Sequence, residues 1–221
     1  MEARLTQLNR DEILRYLGYR GQTLSPELQA QIDRAEAALC AVIQPRLVYT
    51  VLPVAEGTVK GLTLSGRDIA AHLTGCHEAV LMAVTLGAEA EQLLYRRQVT
   101  DMADAVIMDA CASAAVENVC DNFEQDFRRQ TEQTGRYLTG RFSPGYGDLP
   151  LETQRSLCGV LDTARRIGLT VSGDCLLHPL KSVTAILGIS EIPQPLCEVR
   201  CQMCSKRDHC AFRKTGGTCH G

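Results

Sequence analysis

Residues 141–154 read RFSPGYGDLPLETQ. Pro144-Gly145 has the chemistry of a type II turn: proline pre-sets φ at the second position and glycine accepts the positive φ at the third. Pro144 also restricts Ser143 to an extended backbone, which narrows where Arg141 can point. A turn of this kind needs neither an arginine three residues ahead nor a tyrosine directly behind. The guanidinium fork of Arg141 can bind a carboxylate through two hydrogen bonds. Gly145 permits close backbone approach to a ligand. Tyr146 offers a ring face and a hydroxyl. Two readings follow: a surface turn with a solvated arginine, or a loop that aims two side chains at a small zwitterionic or carboxylate-bearing molecule.

Working outward, the downstream segment is expected to be a helix over about 151–167, with Leu157, Val160, Leu161, Ala164 and Ile167 inward. The strands LTVSGDCLL and KSVTAILGI follow, the second alternating through Val183, Ala185, Leu187 and Ile189. Upstream lies a long helical stretch over about 88–133, broken near Thr100. Met108, Ala112, Val119, Phe123 and Phe127 form one face of its second part. Ala103, Val106, Ala110 and Ala114 form another, nearly opposite, and a helix apolar on two faces is expected to be buried. On that second face Glu117 is the first carboxylate, followed by Asp121 and Glu124.

Nearer the N-terminus, SPELQAQIDRAEAALCAVIQP predicts a helix with Ser25 as N-cap, Pro26 at its first position and Pro45 as the stop. RLVYTVLPV and GTVKGLTL predict a hairpin around Glu56-Gly57. SGRDIAAHLTGC predicts a short helix capped by Ser65. EAVLMAVTLG is a continuous apolar run and reads as a buried strand. The element order is not a regular strand–helix alternation, so the fold class is α+β, with a mainly antiparallel sheet and long helices. The expected organisation is one domain over 1–190 and a separate tail over 191–221.

Composition narrows the function classes. The chain has 221 residues, 45% hydrophobic and 22% charged, with a net charge of −3, so there is no electrostatic case for nucleic acid. The N-terminus lacks the apolar core of a signal peptide and no run of about 18 apolar residues occurs, so the chain is expected to be cytoplasmic and not membrane-bound. No GxGxxG or GxxxxGK[ST] loop is present. His72 and His77 flank Cys76, and His178 precedes Pro179; all three are read as ordinary structural or surface histidines.

The cysteines fall into two groups. Cys40, Cys76, Cys111, Cys120, Cys158 and Cys175 are scattered and read as small core hydrophobes. Cys197, Cys201, Cys204, Cys210 and Cys219 crowd a basic tail behind the two-proline segment EIPQPLC, with spacing C-x3-C-x2-C-x5-C-x8-C. Close thiolates repel unless a cation neutralises them. Cys197, Cys201, Cys204 and Cys210 are therefore candidate metal ligands. An iron–sulfur cluster such as [4Fe-4S], a zinc ion, and unliganded or disulfide-forming thiols all remain open. The spacing of the first three cysteines mimics a radical S-adenosylmethionine motif, without a barrel after it.

RFSPGYGDLPLETQ resembles the RxxxGY loop of the activation domain of cobalamin-dependent methionine synthase. AVTLG at Ala83, ASAAVEN carrying Glu117, and HPLKSVTAILGIS agree with that family, and the resemblance covers about residues 8–190. It implies an S-adenosylmethionine-binding protein that supports reductive methylation of cob(II)alamin on a corrinoid methyltransferase, as part of that system. In that reading Arg141 holds the methionine carboxylate, the backbone around Phe142, Gly145 and Tyr146 takes the adenine and ribose, and Glu117 faces the cationic part of the ligand. The family also uses an aspartate in an Asp-Trp-Thr-like context near the start of the domain; this chain contains no tryptophan and nothing similar there. The length leaves no room for the homocysteine, folate or cobalamin domains, so the resemblance implies a free-standing activation protein with a Cys-rich C-terminus. The implied partners are the corrinoid methyltransferase and an electron donor such as flavodoxin or ferredoxin. An alternative is an iron–sulfur or zinc electron-transfer module whose working part is the tail.

Overall fold

A computed structural model of the chain describes Leu5, residues 8–19, 21–55, 58–59 and 61–193, and Asp208. In chain order the elements are helices α1 (Arg10–Tyr16) and α2 (Pro26–Cys40), then strands β1 (Arg46–Ala55), β2 (Thr58–Val59) and β3 (Leu62–Thr63). Helix α3 (Arg67–His72), strand β4 (Cys76–Thr85), helices α4 (Ala88–Thr100) and α5 (Met102–Glu132) and strand β5 (Tyr137–Leu138) follow. The chain continues through α6 (Thr153–Leu161), α7 (Thr163–Ile167), β6 (Thr170–Val171), β7 (Leu177–His178) and β8 (Ser182–Ser190). The expected α+β class with a mainly antiparallel sheet is the one observed.

The described residues divide into two units. One comprises the chain up to Val48, Ala83–Phe123 and Thr163–Val183; the other comprises Tyr49–Met82, Glu124–Asp162 and the chain from Thr184 on.

In the first unit, α2 begins as the sequence predicts. The Ser25 hydroxyl accepts from the backbone N–H of Leu28 at 3.2 Å, and Pro26 occupies the first turn. Ile32, Ala35 and Leu39 are its buried face. The break between α4 and α5 falls at Asp101, whose backbone is extended and whose Oδ1 accepts from the N–H groups of Ala103 and Asp104 at 3.0 and 3.1 Å. This carboxylate cap restarts the helix immediately. The second apolar face of α5 differs from expectation at its start, whereas the first is buried from Met108 to Phe123. Val106 is 56% exposed and Ala103 is exposed, while Ala105, Ile107 and Met108 are buried; the second face becomes buried only from Ala110. Alanine and valine at the helix start carry the apolar pattern without being covered.

β6 and β7 form a two-stranded antiparallel ribbon with Thr170 opposite His178 and Val171 opposite Leu177. Lys181 lies beside α5. Its ammonium pairs with Asp109 Oδ1 at 2.8 Å and donates to Ser113 Oγ at 2.8 Å, while its backbone carbonyl accepts from Leu86 N–H at 3.0 Å. The Cys111 thiol is buried, and its pKa is pushed up to about 12, first by burial and then by Glu36. That makes it an inert core residue.

Most residues of the six-stranded sheet, with order β3-β2-β1-β4-β8-β5, belong to the second unit. β1, β2 and β3 form an antiparallel meander, and Val54 opposite Val59 with Ala55 opposite Thr58 places the first reversal where the sequence predicts the hairpin. β5 runs antiparallel to the end of β8, with Tyr137 opposite Ser190 and Leu138 opposite Ile189. In β8 every residue from Thr184 to Ser190 is buried, so both faces are covered and the alternation marks the strand without marking a wet face. Gly188 is required by this packing: a Cβ there would lie 2.5 Å from Cys76 Sγ and 3.1 Å from Leu73 Cδ2. Phe127, on the predicted face of α5, meets the Tyr49 ring edge-on at 5.6 Å.

The expected helix over 151–167 is split. α6 ends at Leu161, Asp162 follows with a left-handed backbone at φ 50°, and α7 starts at Thr163. Val160 and Ala164, expected inward, are exposed, whereas Cys158 and Thr163 are buried. The left-handed residue ends the helical register of α6, so one continuous register does not describe both. Of the scattered cysteines, Cys76, Cys111, Cys120, Cys158 and Cys175 are buried and Cys40 is half-buried, as read from sequence. Among the described residues no helix is long and apolar enough to cross a membrane.

Candidate ligand-binding loop

The chain leaves β5, passes Thr139 and Gly140, and makes a single bridge to β8: Phe142 N–H donates to Ile186 O, and Ile186 N–H donates to Phe142 O, both at 2.9 Å. The backbone beside Arg141 is thereby fixed to a central strand. The turn then forms as predicted. Tyr146 N–H donates to Ser143 O at 3.1 Å, with Gly145 at φ 88° in the third position of a type II turn. A second turn follows at once, closed by Leu149 N–H to Tyr146 O at 3.0 Å, with Gly147 at φ 52°. Gly145 N–H to Leu149 O, also 3.0 Å, ties the two turns together. Leu149 is 2% exposed and anchors the loop, while Gly145 and Tyr146 remain exposed.

The loop is also held at its far side. Short helix α3 has no side-chain cap of its own; Gly66 stands at its N-cap with φ 139°. The expected Ser65 cap is not made. The Asp148 carboxylate takes that place, accepting from Arg67 N–H at 2.7 Å and Asp68 N–H at 3.0 Å. Glycine is needed at both contact points. A Cβ on Gly66 would lie 2.5 Å from Asp148 Oδ1, and one on Gly147 would fall on the Asp68 carboxylate. Burial pushes the Asp148 carboxyl up, but the N–H groups of Asp68 and Arg67 outweigh it and hold it below the ordinary carboxylate value.

Arg141 is oriented by α5. Its side chain is 11% exposed, and its guanidinium lies 3.6 Å from Glu124 Oε2. The other oxygen of Glu124 accepts from Arg128 at 2.8 Å. Arg128 in turn donates to Leu138 O at 2.5 Å and Thr139 O at 3.4 Å, the two carbonyls just ahead of the loop. One carboxylate on a rigid helix thus holds two arginines, one fastened to the strand before the loop and one on the loop itself. The sequence pointed to Arg141 and passed over its support. The signal was present as Glu124 and Arg128, four residues apart on one helix face.

Behind the loop, His72 is buried, with its Nε2 2.9 Å from Thr139 Oγ1 and its ring 5.1 Å from that of Phe142. Thr139 Oγ1 also accepts from Gly188 N–H at 2.7 Å. This histidine is a structural one, as read from sequence. Among the described residues no group of three or more His, Cys, Asp or Glu side chains could hold a metal ion.

Arg141, Phe142, Gly145 and Tyr146 therefore share one loop of the second unit, built from two linked turns. Glu117 belongs to the first unit, half-buried on α5, rather than fully buried as the small-residue face predicts. The candidate metal ligands Cys197, Cys201, Cys204 and Cys210 lie outside the described residues.

No family model matches the chain, and no curated protein matches it in sequence. Among solved structures the chain is similar to the crystal structure of the MetH reactivation domain bound to AdoHcy, with a TM-score of 0.67 and 14% sequence identity, over 99% of this chain and 85% of that one. At that identity the likeness is one of fold, and the fold of this chain is that of the reactivation domain of methionine synthase.

Proposed function

We propose that the chain binds S-adenosylmethionine through the loop at Arg141–Tyr146 and supports reductive methylation of the corrinoid of a methyltransferase of the methionine synthase type. The observation that carries this reading is the loop itself. A mostly buried arginine, oriented by Glu124, precedes two linked turns that leave Gly145 and Tyr146 exposed. It occurs on the fold of a domain whose crystal structure holds AdoHcy, which is S-adenosylmethionine without its methyl group.

The donor set suits such a ligand. The guanidinium of Arg141 can take the α-carboxylate, where partial burial strengthens a charge-assisted hydrogen bond. The exposed Gly145 and the Tyr146 ring can accept a flat base and a ribose. Glu117, assigned from the sequence resemblance, is the carboxylate for the cationic end. When bound, S-adenosylmethionine supplies an electrophilic methyl group on a sulfonium. Its transfer calls for positioning, with no proton to move, so holding the ligand is the work asked of the loop.

The tail completes the reading. Cys197, Cys201, Cys204 and Cys210 have the spacing of a four-thiolate iron–sulfur or zinc site, and an iron–sulfur site there would relay an electron from a donor such as flavodoxin or ferredoxin. The deciding test is transfer of labelled methyl from S-adenosylmethionine to a corrinoid methyltransferase under reducing conditions. Label on the corrinoid that depends on this protein supports the role. Binding of S-adenosylmethionine without any such transfer reduces the role to ligand binding.

A further inference from the structure

We propose that Glu124 is a positioning residue that makes the site selective for ligands bearing a carboxylate. The inference rests on the S-adenosylmethionine reading of the loop. Arginine side chains are long and rotamer-rich, and fixing one costs entropy unless the fold fixes it beforehand. Here the fold does so. Glu124 stands on α5, the longest helix of the described chain, within its C-terminal third. Its Oε1 is locked by Arg128 at 2.8 Å, and Arg128 is itself locked to Leu138 O and Thr139 O. With one oxygen held, the carboxylate cannot rotate freely, and Oε2 faces the Arg141 guanidinium at 3.6 Å. The same arrangement spans only four residues of chain between Leu138 and Arg141, so the loop's starting backbone and its arginine are referenced to a single carboxylate. Phe142, the next residue, is bridged to β8. Arg141 is thus constrained at its backbone by the sheet and at its guanidinium by α5.

Glu124 acts through Arg141 and not on the ligand. Its loss therefore weakens only those ligands that use the guanidinium. S-Adenosylmethionine has an α-carboxylate; 5′-methylthioadenosine keeps the adenine, ribose and sulfur but lacks the amino-acid portion. A residue with a merely structural role would weaken both.

The test is calorimetric titration of the full chain and its Glu124→Gln variant with each of the two ligands. The expected result is a loss of about tenfold for S-adenosylmethionine, equal to about 1.4 kcal/mol, with 5′-methylthioadenosine changed by less than about twofold. In an Arg141→Ala background Glu124→Gln should then have no further effect. Equal weakening of both ligands, or no weakening of either, overturns the assignment of Glu124 while leaving the site reading intact. Failure of the unaltered protein to bind S-adenosylmethionine removes the site reading and this inference with it. Should Glu124→Gln not fold, Glu124→Asp decides in its place: selective loss supports the role and unselective loss overturns it.

Discussion

The Asp148 carboxylate accepts a hydrogen bond from the backbone N–H of Arg67 at 2.7 Å, across 81 residues of sequence. A loop residue thus caps a helix that its own neighbours leave uncapped, and capping and loop geometry become one interaction. Asp148→Ala should lower stability by about 1 kcal/mol, the usual worth of an N-cap. Urea unfolding of the two proteins measures this directly.

The same contact has a pH signature. The folded-state pKa of Asp148 lies below its ordinary value of 3.8. Its contribution is therefore complete above that ordinary value and is lost as pH falls through the lower, folded one. Asparagine can cap without titrating. The stability difference between the natural protein and Asp148→Asn should be constant from neutral pH down to that ordinary value and narrow below it. A difference that stays constant throughout the acid range would remove the carboxylate from the account.

Gly188 offers a packing test. Gly188→Ala should cost about 1–3 kcal/mol, because its Cβ meets a buried sulfur on a filled strand. Adding Cys76→Ala should recover part of that loss, since the closest obstructing atom is then gone. Gly140→Ala, with nothing within 4 Å of its Cβ, is the neutral comparison. Thermal melts of these variants, the single Cys76→Ala variant and the natural protein decide the matter, and additive losses in the double variant would contradict the packing described.

How far the sequence reached can be seen in these residues. Pro144-Gly145 specified the turn because both conformational preferences are local. The Ser25 cap and the apolar strand β4 were legible for the same reason: each is decided within a few residues. The cap of α3 was not, because Gly66 and not Ser65 takes the N-cap position and only tertiary structure brings Asp148 to the first N–H groups. Val106, Val160 and Ala164 carry the apolar pattern and lie exposed, since a periodicity marks a face without saying whether anything covers it. Glu124 was visible as a carboxylate on α5. Its service to Arg141 depends on where β5 and the loop return to the helix, which no spacing encodes.

Glu117 should matter for ligand binding and not for folding. Glu117→Gln preserves the side-chain shape, so the melting temperature should hold while affinity for S-adenosylmethionine falls by about 1–2 kcal/mol. A lowered melting temperature with unchanged affinity would make it a structural residue.

For the tail, truncation after Pro195 should leave S-adenosylmethionine binding intact and abolish reductive methylation of the partner. Anaerobically purified full-length protein should be brown, with about four irons per chain for a cubane cluster. Stoichiometric zinc in colourless anaerobic protein would contradict the redox role.

The central claim is that Arg141 holds the carboxylate of S-adenosylmethionine. Calorimetric titration of the natural protein and of Arg141→Ala tests it most directly. The account predicts saturable binding by the natural protein and a loss of about 1.5–3 kcal/mol in the variant, the worth of a charge-assisted hydrogen bond. No binding by the natural protein, or equal affinity in the two, would contradict it.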